Sequence, residues 1–217
     1  MLKVNEIFPS IQGESTLQGI PTVFIRLSGC NLNCSYCDTV YAKEKGDELT
    51  IDEIQRKAEQ FGLKYACITG GEPLLQKETN DLAVRLINKG YTVSVETNGS
   101  FDAAVLDKNI IRIIDVKCPG SGEHESICIN NVLFPRKTDE FKFVLKDRKD
   151  FDYACDFIKK YNIFETVAVL FSPVHGFLEP KTLSEWIIKE MPCVRLNLQI
   201  HKYIWTGCSE KNNIELF

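Results

Sequence analysis

The chain has 217 residues, of which 44% are hydrophobic, and a formal net charge of −4 at pH 7. Such a chain can bury a substantial core, and we expect one domain spanning residues 1–217. The charge gives no reason to expect a surface for nucleic acid or for an anionic membrane. No apolar run approaches the ~20 residues of a membrane span, and the opening MLKVNEIFPSIQGES lacks the pattern of a signal peptide. We therefore expect a cytoplasmic protein.

Short apolar runs alternate with amphipathic stretches along the chain. Runs rich in Val, Ile and Phe predict strands, because strands covered on both faces are apolar throughout. The predicted strands are 22–28, 65–69, 91–96, 110–116, 140–145, 166–172 and 194–200. Helices are predicted at 50–62, 80–90, 148–161 and 182–191. Two of them begin with the pattern of a capping box, Thr50 with Glu53 and Thr182 with Glu185.

This alternation predicts an α/β fold in which right-handed crossovers join parallel strands. Six or seven strand–helix units indicate an open, incomplete (β/α)6-type barrel of mostly parallel strands. The link 118–139 is rich in glycine and lacks a helical pattern. We therefore expect the helical layer to be shortened at that point.

A polar or glycine-rich cluster follows most of the predicted strands. These clusters are GCNLNCSYCDT (29–39), GGEP (70–73), ETNGS (96–100), DVKCPGSG (115–122), SPVHG (172–176) and QIHKYIW (199–205). Parallel strands bring such segments to one rim, where barrels of this kind build active sites. Connecting loops are polar in any α/β protein, but the repetition after so many strands favours a single functional site.

Nine cysteines are a high and odd number for this length. In a cytoplasmic chain they indicate metal or redox chemistry rather than disulfides. The C-x3-C-x2-C spacing of Cys30, Cys34 and Cys37 allows one loop to hold a [4Fe–4S] cluster and leaves one iron open for a ligand. The alternative is zinc with Cys67 or Cys118 as fourth ligand, although the paired C-x2-C halves of zinc modules are absent.

The string CNLNCSYC, with Tyr36 before the last cysteine, resembles the cluster signature of the radical S-adenosylmethionine (SAM) superfamily. The resemblance implies that SAM chelates the open iron through its amino and carboxylate groups. One electron would then cleave SAM to methionine and a 5′-deoxyadenosyl radical. GGEP resembles the second signature of the superfamily, in which Gly71 allows a close approach and Glu72 accepts from the amino group of SAM.

Strings along nearly the whole chain are similar to the 7-carboxy-7-deazaguanine synthase family, notably QGES (12–15), CDT (37–39) and QIHKYIW (199–205). The resemblance implies a lyase that converts 6-carboxy-5,6,7,8-tetrahydropterin to 7-carboxy-7-deazaguanine by radical ring contraction with loss of ammonia. This reaction belongs to the biosynthesis of queuosine and related 7-deazapurines. The resemblance also implies Mg²⁺, a homodimer, and an electron donor such as flavodoxin or ferredoxin.

The same resemblance assigns roles to single residues. Arg26, His201 and Lys202 are assigned to the substrate carboxylate, and Thr39 to Mg²⁺, which prefers oxygen ligands. Further substrate contacts are assigned to Gln12, Gly13, Glu14, Thr69, Gly70 and Glu96, and further SAM contacts to Tyr36, Thr97, Asn98, Asp115, Lys117 and Ser172. Simpler roles stay open at several of these positions: a polar turn at 12–14, a turn residue at 39, and a rim salt bridge between 115 and 117. Glu96 can face either SAM or substrate.

Two other functions also stay open from the sequence. The first is a small radical SAM activase that generates a glycyl radical on a partner enzyme, which would require an open rim for a macromolecule. The second is a zinc or redox module without enzymatic activity.

Overall fold

The computed structural model describes residues 1–205, which form one nine-stranded sheet with helices packed against it. The strands are β1 (Leu2–Ile11), β2 (Pro21–Leu27), β3 (Asp47–Leu49), β4 (Tyr65–Gly70), β5 (Thr92–Thr97), β6 (Ile111–Asp115), β7 (Glu140–Leu145), β8 (Ala168–Pro173) and β9 (Arg195–Leu196). The helices are α1 (Ile51–Glu59), α2 (Thr79–Asn88), α3 (Ile129–Leu133), α4 (Arg148–Tyr161), α5 (Pro180–Glu190) and α6 (His201–Ile204).

The sheet confirms the predicted open α/β architecture. Its strand order is β3-β1-β2-β4-β5-β6-β7-β8-β9. Every neighbouring pair from β2 to β9 is parallel, as expected for strands joined by crossovers. β3 and β9 are the two edges of the sheet and do not pair with each other, so the barrel is not closed.

Helices follow most of the parallel strands, and the helical layer is shortened where expected. Between β6 and β7 the chain forms only a single 3₁₀ turn, Pro119–Ser121, and the five-residue helix α3. None of the helices within residues 1–205 is long and apolar enough to cross a bilayer.

The sequence analysis missed two antiparallel strands at one edge. β1 pairs with β2 in an antiparallel hairpin, and β3 covers the other side of β1. The ten residues of β1, LKVNEIFPSI, mix polar and apolar side chains and include Pro9. Proline is tolerated near a sheet edge but interrupts the apolar run by which a central strand is recognised. This segment therefore lacks the signal of the buried parallel strands.

The two predicted capping boxes have different outcomes. At α1 the box is present, because the Glu53 amide donates to Thr50 Oγ1 (3.2 Å) and the Thr50 amide donates to the Glu53 carboxylate (2.8 Å). At α5 the predicted box of Thr182 and Glu185 is wrong. That helix begins earlier, at Pro180, whose fixed φ and missing amide hydrogen suit the first helical position.

The last predicted strand, 194–200, is also shorter than expected. β9 ends at Leu196, and His201 begins the short helix α6 instead of ending a strand. The chain leaves β8 because it turns to meet the loop between β1 and β2: the Ile200 amide donates to the Gly13 carbonyl at 3.1 Å. The same loop is bonded to residues 197 and 198, since Asn197 Nδ2 donates to the Ser15 carbonyl at 3.3 Å and Gln18 Nε2 donates to the Leu198 carbonyl at 2.6 Å.

Candidate active site

A cavity of about 1490 Å³ opens at the carboxyl-terminal rim of the parallel strands. Most of the residues that the sequence analysis assigned to a site line it: Gln12, Gly13, Glu14, Arg26, Tyr36, Cys37, Thr39, Thr69, Gly70, Gly71, Glu96, Thr97, Asn98, Asp115, His201 and Lys202. Cys30, Cys34, Glu72, Lys117 and Ser172 are not part of the lining. The segments predicted to meet at one rim therefore do so.

The cysteine loop follows β2 and is fixed by the neighbouring rim loops. The Ser35 amide donates to the Ser121 carbonyl at 2.9 Å, and the Glu72 amide donates to the Gly29 carbonyl at 2.8 Å. The Tyr36 hydroxyl reaches across the rim to the Val144 carbonyl of β7 at 3.0 Å. Tyr36 thereby holds the middle of the loop against the barrel, whether or not it also contacts SAM.

The three cysteines of this loop suit an iron–sulfur cluster. Cys30, Cys34 and Cys37 are free and half-buried, whereas Cys67 and Cys118 are buried. Among residues 1–205, no group of three His, Cys, Asp or Glu side chains could hold a single metal ion. A cluster has a different requirement, because each thiolate binds its own iron. The donor set therefore fits a three-thiolate cluster and does not fit the zinc site that would need Cys67 or Cys118.

The glycines of GGEP are required by packing between loops. A Cβ atom at Gly70 would lie 2.1 Å from the Leu27 carbonyl oxygen, and a Cβ atom at Gly71 would lie 2.1 Å from the Gly29 carbonyl oxygen. Gly70 also has a φ of +146°, which side chains rarely adopt. The GGEP turn consequently packs directly on the start of the cysteine loop.

Glu72 is fully buried and bonded to the protein. Its carboxylate accepts from the Leu74 amide (2.9 Å), the Thr97 hydroxyl (2.8 Å) and the Asn98 amide (2.6 Å). Burial raises the pKa of Glu72, while these three donors act in the opposite direction. In this structure Glu72 holds the loop after β5 in place. Its assigned contact with the amino group of SAM stays a prediction.

Asp115 and Lys117 form the rim salt bridge that the sequence analysis left open, with 2.7 Å between Asp115 Oδ2 and Lys117 Nζ. Burial alone would lower the pKa of Lys117, but the charges of Asp115 and Cys34 raise it. Asp115 lines the cavity, and its Oδ1 is buried without a hydrogen-bond partner among residues 1–205. That oxygen is available to a hydroxyl or ammonium of a ligand.

Ser172 lies deeper in the barrel than expected for a SAM contact. It is fully buried, and its hydroxyl lies 3.2 Å from Asn197 Oδ1. Asn197 also bonds to the backbone of Ser15. Ser172 thus helps to fix the loop between β1 and β2.

Arg26 is held at the wall of the cavity by Glu6, with 2.6 Å between Arg26 Nε and Glu6 Oε1. Its guanidinium carbon lies 5.8 Å from the ring centroid of Phe8 and 5.9 Å from that of Tyr41. The two terminal nitrogens have no hydrogen-bond partner among residues 1–205. An aromatic-flanked guanidinium with free terminal N–H groups can bind a carboxylate in a bidentate manner.

Glu14 is buried in the loop that follows β1, where it is contacted by Lys142 of β7 and by Gln199 after β9. Its two oxygens accept from Lys142 Nζ and from Gln199 Nε2, each at 2.7 Å. Burial would raise the pKa of Glu14, but the ammonium of Lys142 lowers it to about 2. Glu14 is therefore an anion at neutral pH.

Three further polar residues lie beside Glu14 and Lys142, namely Glu96, Gln12 and Thr69. Glu96 Oε1 accepts a 3.4 Å contact from Gln12 Nε2, and Glu96 Oε2 accepts one at the same distance from the Thr69 hydroxyl.

His201 packs on Gly13: a Cβ atom at position 13 would lie 1.9 Å from His201 Nδ1. Lys202 Nζ lies 2.8 Å from Asp38 Oδ2, so the short helix α6 is tied to the end of the cysteine loop beside Thr39.

The sequence analysis missed two residues that line this end of the cavity, Lys142 and Gln199. Lys142 had a recognisable signal, since it is a charged residue inside the apolar run EFKFVL. A lysine within a buried strand is almost never left unpaired. Gln199 opens the string QIHKYIW, which the sequence analysis placed at the rim, but the string alone did not single out this residue; its contact with Glu14 does so.

Known proteins resemble this chain in sequence and fold. A sequence profile of the radical SAM superfamily matches residues 24–119. The chain is 42% identical over 207 residues to the 7-carboxy-7-deazaguanine synthase of Chlorobaculum tepidum, with 94% of each chain covered. It is 42% identical to that of Methanospirillum hungatei, over 94% of this chain and 85% of the relative.

Among solved structures, QueE from Escherichia coli superposes with a TM-score of 0.74 at 20% sequence identity, with 91% of this chain and 93% of that chain covered. At 20% sequence identity, this superposition shows only that the two proteins share a fold. The sequence identity to the curated relatives, together with the cysteine signature and the rim geometry, decides the family. This chain belongs to the 7-carboxy-7-deazaguanine synthase family of the radical SAM superfamily.

Proposed function

We propose that this enzyme converts 6-carboxy-5,6,7,8-tetrahydropterin to 7-carboxy-7-deazaguanine, with loss of ammonia, in the biosynthesis of 7-deazapurines. The observation that carries the proposal is the continuity of one cavity. It runs from Cys37, Asn98 and Asp115 at the cluster end to Arg26 and Glu14 at the other end. Its volume of about 1490 Å³ exceeds the roughly 300–1,000 Å³ of a typical small-molecule site, as expected if two ligands share it.

The cluster end serves SAM. When bound, the cluster and SAM supply the one-electron cleavage that yields a 5′-deoxyadenosyl radical. Cys30, Cys34 and Cys37 would hold the cluster. We assign Asp115 Oδ1, the unpartnered buried oxygen, to a polar group of SAM. We assign Thr97 and Asn98 to the same cofactor because both line the cavity and the Asn98 side-chain amide lies 3.8 Å from Cys30 Sγ.

The opposite end serves the pterin. Arg26 is positioned to bind the substrate carboxylate with its free terminal N–H groups, and His201 and Lys202 close the same region of the cavity. Gln12, Gly13, Glu14, Thr69, Gly70 and Glu96 would contact the ring edge. The carboxylates of Glu14 and Glu96 suit a ring edge that is rich in N–H donors.

Thr39 is our candidate for a protein ligand of Mg²⁺. Its hydroxyl lines the cavity at the start of the 3₁₀ turn Val40–Lys43 and makes no capping hydrogen bond there. Mg²⁺ is commonly bound through few protein oxygens, with waters and substrate oxygens in the rest of its shell. The ion would then neutralise charge on the substrate beside Arg26.

The activase alternative fits this geometry less well. A protein substrate would need an open rim, whereas the loop between β1 and β2 is bonded to residues 197–200 and α6 is tied to the cysteine loop through Lys202 and Asp38. We further propose a cytoplasmic homodimer that is reduced by flavodoxin or ferredoxin, and a single functional domain over residues 1–217.

The decisive experiment is anaerobic turnover of the reconstituted protein with SAM, a reductant and the carboxy-pterin, followed by mass spectrometry. We expect 7-carboxy-7-deazaguanine and 5′-deoxyadenosine. Formation of 5′-deoxyadenosine without any deazapurine, under conditions in which the cluster is fully loaded, would contradict the proposed substrate.

A further inference from the structure

Lys142 is a buried lysine in the wall of the cavity. It lies on β7 between Phe141 and Phe143, which are fully buried on the other face of the strand. Phe143 packs edge-to-face on Phe157 of α4 at 5.8 Å between ring centroids. Because side chains alternate along a strand, Lys142 faces the barrel interior and lines the cavity.

The ammonium of Lys142 is paired with the carboxylate of Glu14 at 2.7 Å, and the two side chains are 9% and 11% exposed. A lysine buried to this degree is costly without a partner, and so is the carboxylate. Lys142 and Glu14 therefore each need the other in order to stay charged. The other Glu14 oxygen is taken by Gln199, which leaves the carboxylate in a fixed orientation.

Several other charged side chains lie near Lys142 and Glu14. Besides Glu14, the carboxylates of Asp115 and Glu96 interact with Lys142, and Lys117 lies nearby on the cluster side. Asp115 has Lys117 as its own partner. Without Lys142, Glu14 would share a low-dielectric cavity with Glu96 and no cation at hydrogen-bonding distance. Like charges and burial both favour the protonated acid under those conditions.

We propose that Lys142 is a positioning residue for the substrate: it holds Glu14 as an oriented anion, so that Glu14 accepts hydrogen bonds from ring N–H groups of the pterin. A carboxylate has about four acceptor sites. Lys142 and Gln199 each occupy one, and the others are left for the ligand in the cavity. The inference rests on the proposed function, because it assumes a substrate that offers N–H donors to Glu14.

The test compares the KM for the carboxy-pterin across pH in the cluster-loaded enzyme. Lys142→Met removes the charge at similar length. We expect KM to rise about tenfold near neutral pH, because hydrogen bonds to a charged acceptor are strong. KM should then fall as pH increases and Glu14 ionises. The wild type should show no such dependence, since the low pKa of Glu14 keeps it ionised.

His201 also faces Glu14, and burial lowers the pKa of its imidazole below the usual value, which favours the neutral imidazole. Lys159→Met, at an exposed position on α4, is the matched control and should match the wild type.

A double-mutant cycle removes the risk that an unpaired buried charge disrupts folding. Glu14→Gln/Lys142→Met contains no buried charge at either position. If Lys142 acts only through Glu14, the double variant has the same KM as Glu14→Gln near neutral pH, and the KM of the double variant does not vary with pH. A KM in Lys142→Met that equals the wild type at all pH values would overturn the proposal. A KM of the double variant far above that of Glu14→Gln would also overturn it. Failure of the wild type to use the carboxy-pterin at all would instead contradict the proposed function.

Discussion

The side-chain amide of Asn98 lies 3.8 Å from the sulfur of Cys30, with Nδ2 directed at Sγ. The orientation of this amide is determined by its other contacts. Asn98 Oδ1 accepts from the amide and the hydroxyl of Ser100 at 2.9 and 2.6 Å, so the NH2 group must face the cysteine loop. The Asn98 backbone is in turn tied to Glu72 at 2.6 Å. A hydrogen-bond donor is therefore held against a thiol that is expected to bind the cluster.

We predict that Asn98→Ala makes the cluster harder to reduce. Hydrogen bonds to the sulfur ligands stabilise the reduced, more negative cluster and raise its potential. One weak contact of about 0.5–1 kcal/mol corresponds to a shift on the order of tens of millivolts. The measurement is a redox titration followed by electron paramagnetic resonance, without SAM, which separates this effect from any contact between Asn98 and SAM. An unchanged midpoint potential would count against the hydrogen bond.

Replacing Cys30, Cys34 or Cys37 by Ala should abolish stable cluster binding, because each thiolate would hold a separate iron. Replacing Cys118 by Ala should leave the iron content unchanged, since its thiol is fully buried in the hydrophobic core and its only hydrogen-bond contact within residues 1–205 is with the Val116 carbonyl at 3.9 Å. Iron and sulfide are measured after anaerobic reconstitution. Loss of iron in the Cys118 variant, despite normal folding, would indicate a fourth thiolate ligand.

Arg26→Gln should separate substrate conversion from SAM cleavage. We expect deazapurine formation to fall by about tenfold to a hundredfold, the range expected for lost charged hydrogen bonds, while SAM cleavage without substrate persists. Arg85→Gln is the control, because Arg85 pairs with Asp52 on the surface and its side chain is 46% exposed. Equal loss of both activities in a cluster-loaded Arg26 variant would place Arg26 at SAM instead.

Thr39→Val should raise the Mg²⁺ concentration needed for half-maximal turnover without eliminating activity. The substitution deletes one oxygen ligand at similar volume, and a water can replace that ligand in a largely hydrated shell. Titrating Mg²⁺ into both proteins tests this expectation. Superimposable titration curves would mean that Thr39 is a turn residue and that the ion, if required, binds elsewhere.

Asp139→Ala should destabilise the fold by about 3–5 kcal/mol, because it leaves the buried charge of Arg112 unpaired. Arg112 Nε donates to Asp139 Oδ1 at 2.7 Å, a second guanidinium nitrogen binds Oδ2, and both side chains are almost fully buried. Asp52→Ala, which breaks the exposed pair with Arg85, should cost about 1 kcal/mol or less. Urea unfolding of the two variants provides the comparison, and similar midpoints would contradict this assignment.

Local patterns in the sequence were sufficient to predict the parallel strands, most helices and the cysteine loop. The spacing of Cys30, Cys34 and Cys37 is a local property, because one short loop must hold all three ligands. The box at Thr50 and Glu53 is equally local and is confirmed. The box at Thr182 and Glu185 fails because a stronger local signal, Pro180, starts the helix earlier.

The tertiary structure decided what local patterns do not contain. Glu72 has the sequence context of a ligand residue, yet its oxygens bond to Thr97 and Asn98, 25 and 26 residues away. Glu14 and Lys142 are 128 residues apart, and no local sequence pattern near either residue indicates that they are in contact. Burial makes each charge depend on its partner, and only the folded sheet brings the loop after β1 against the inner face of β7. A contact of this kind depends on strand order and register, which are properties of the whole chain.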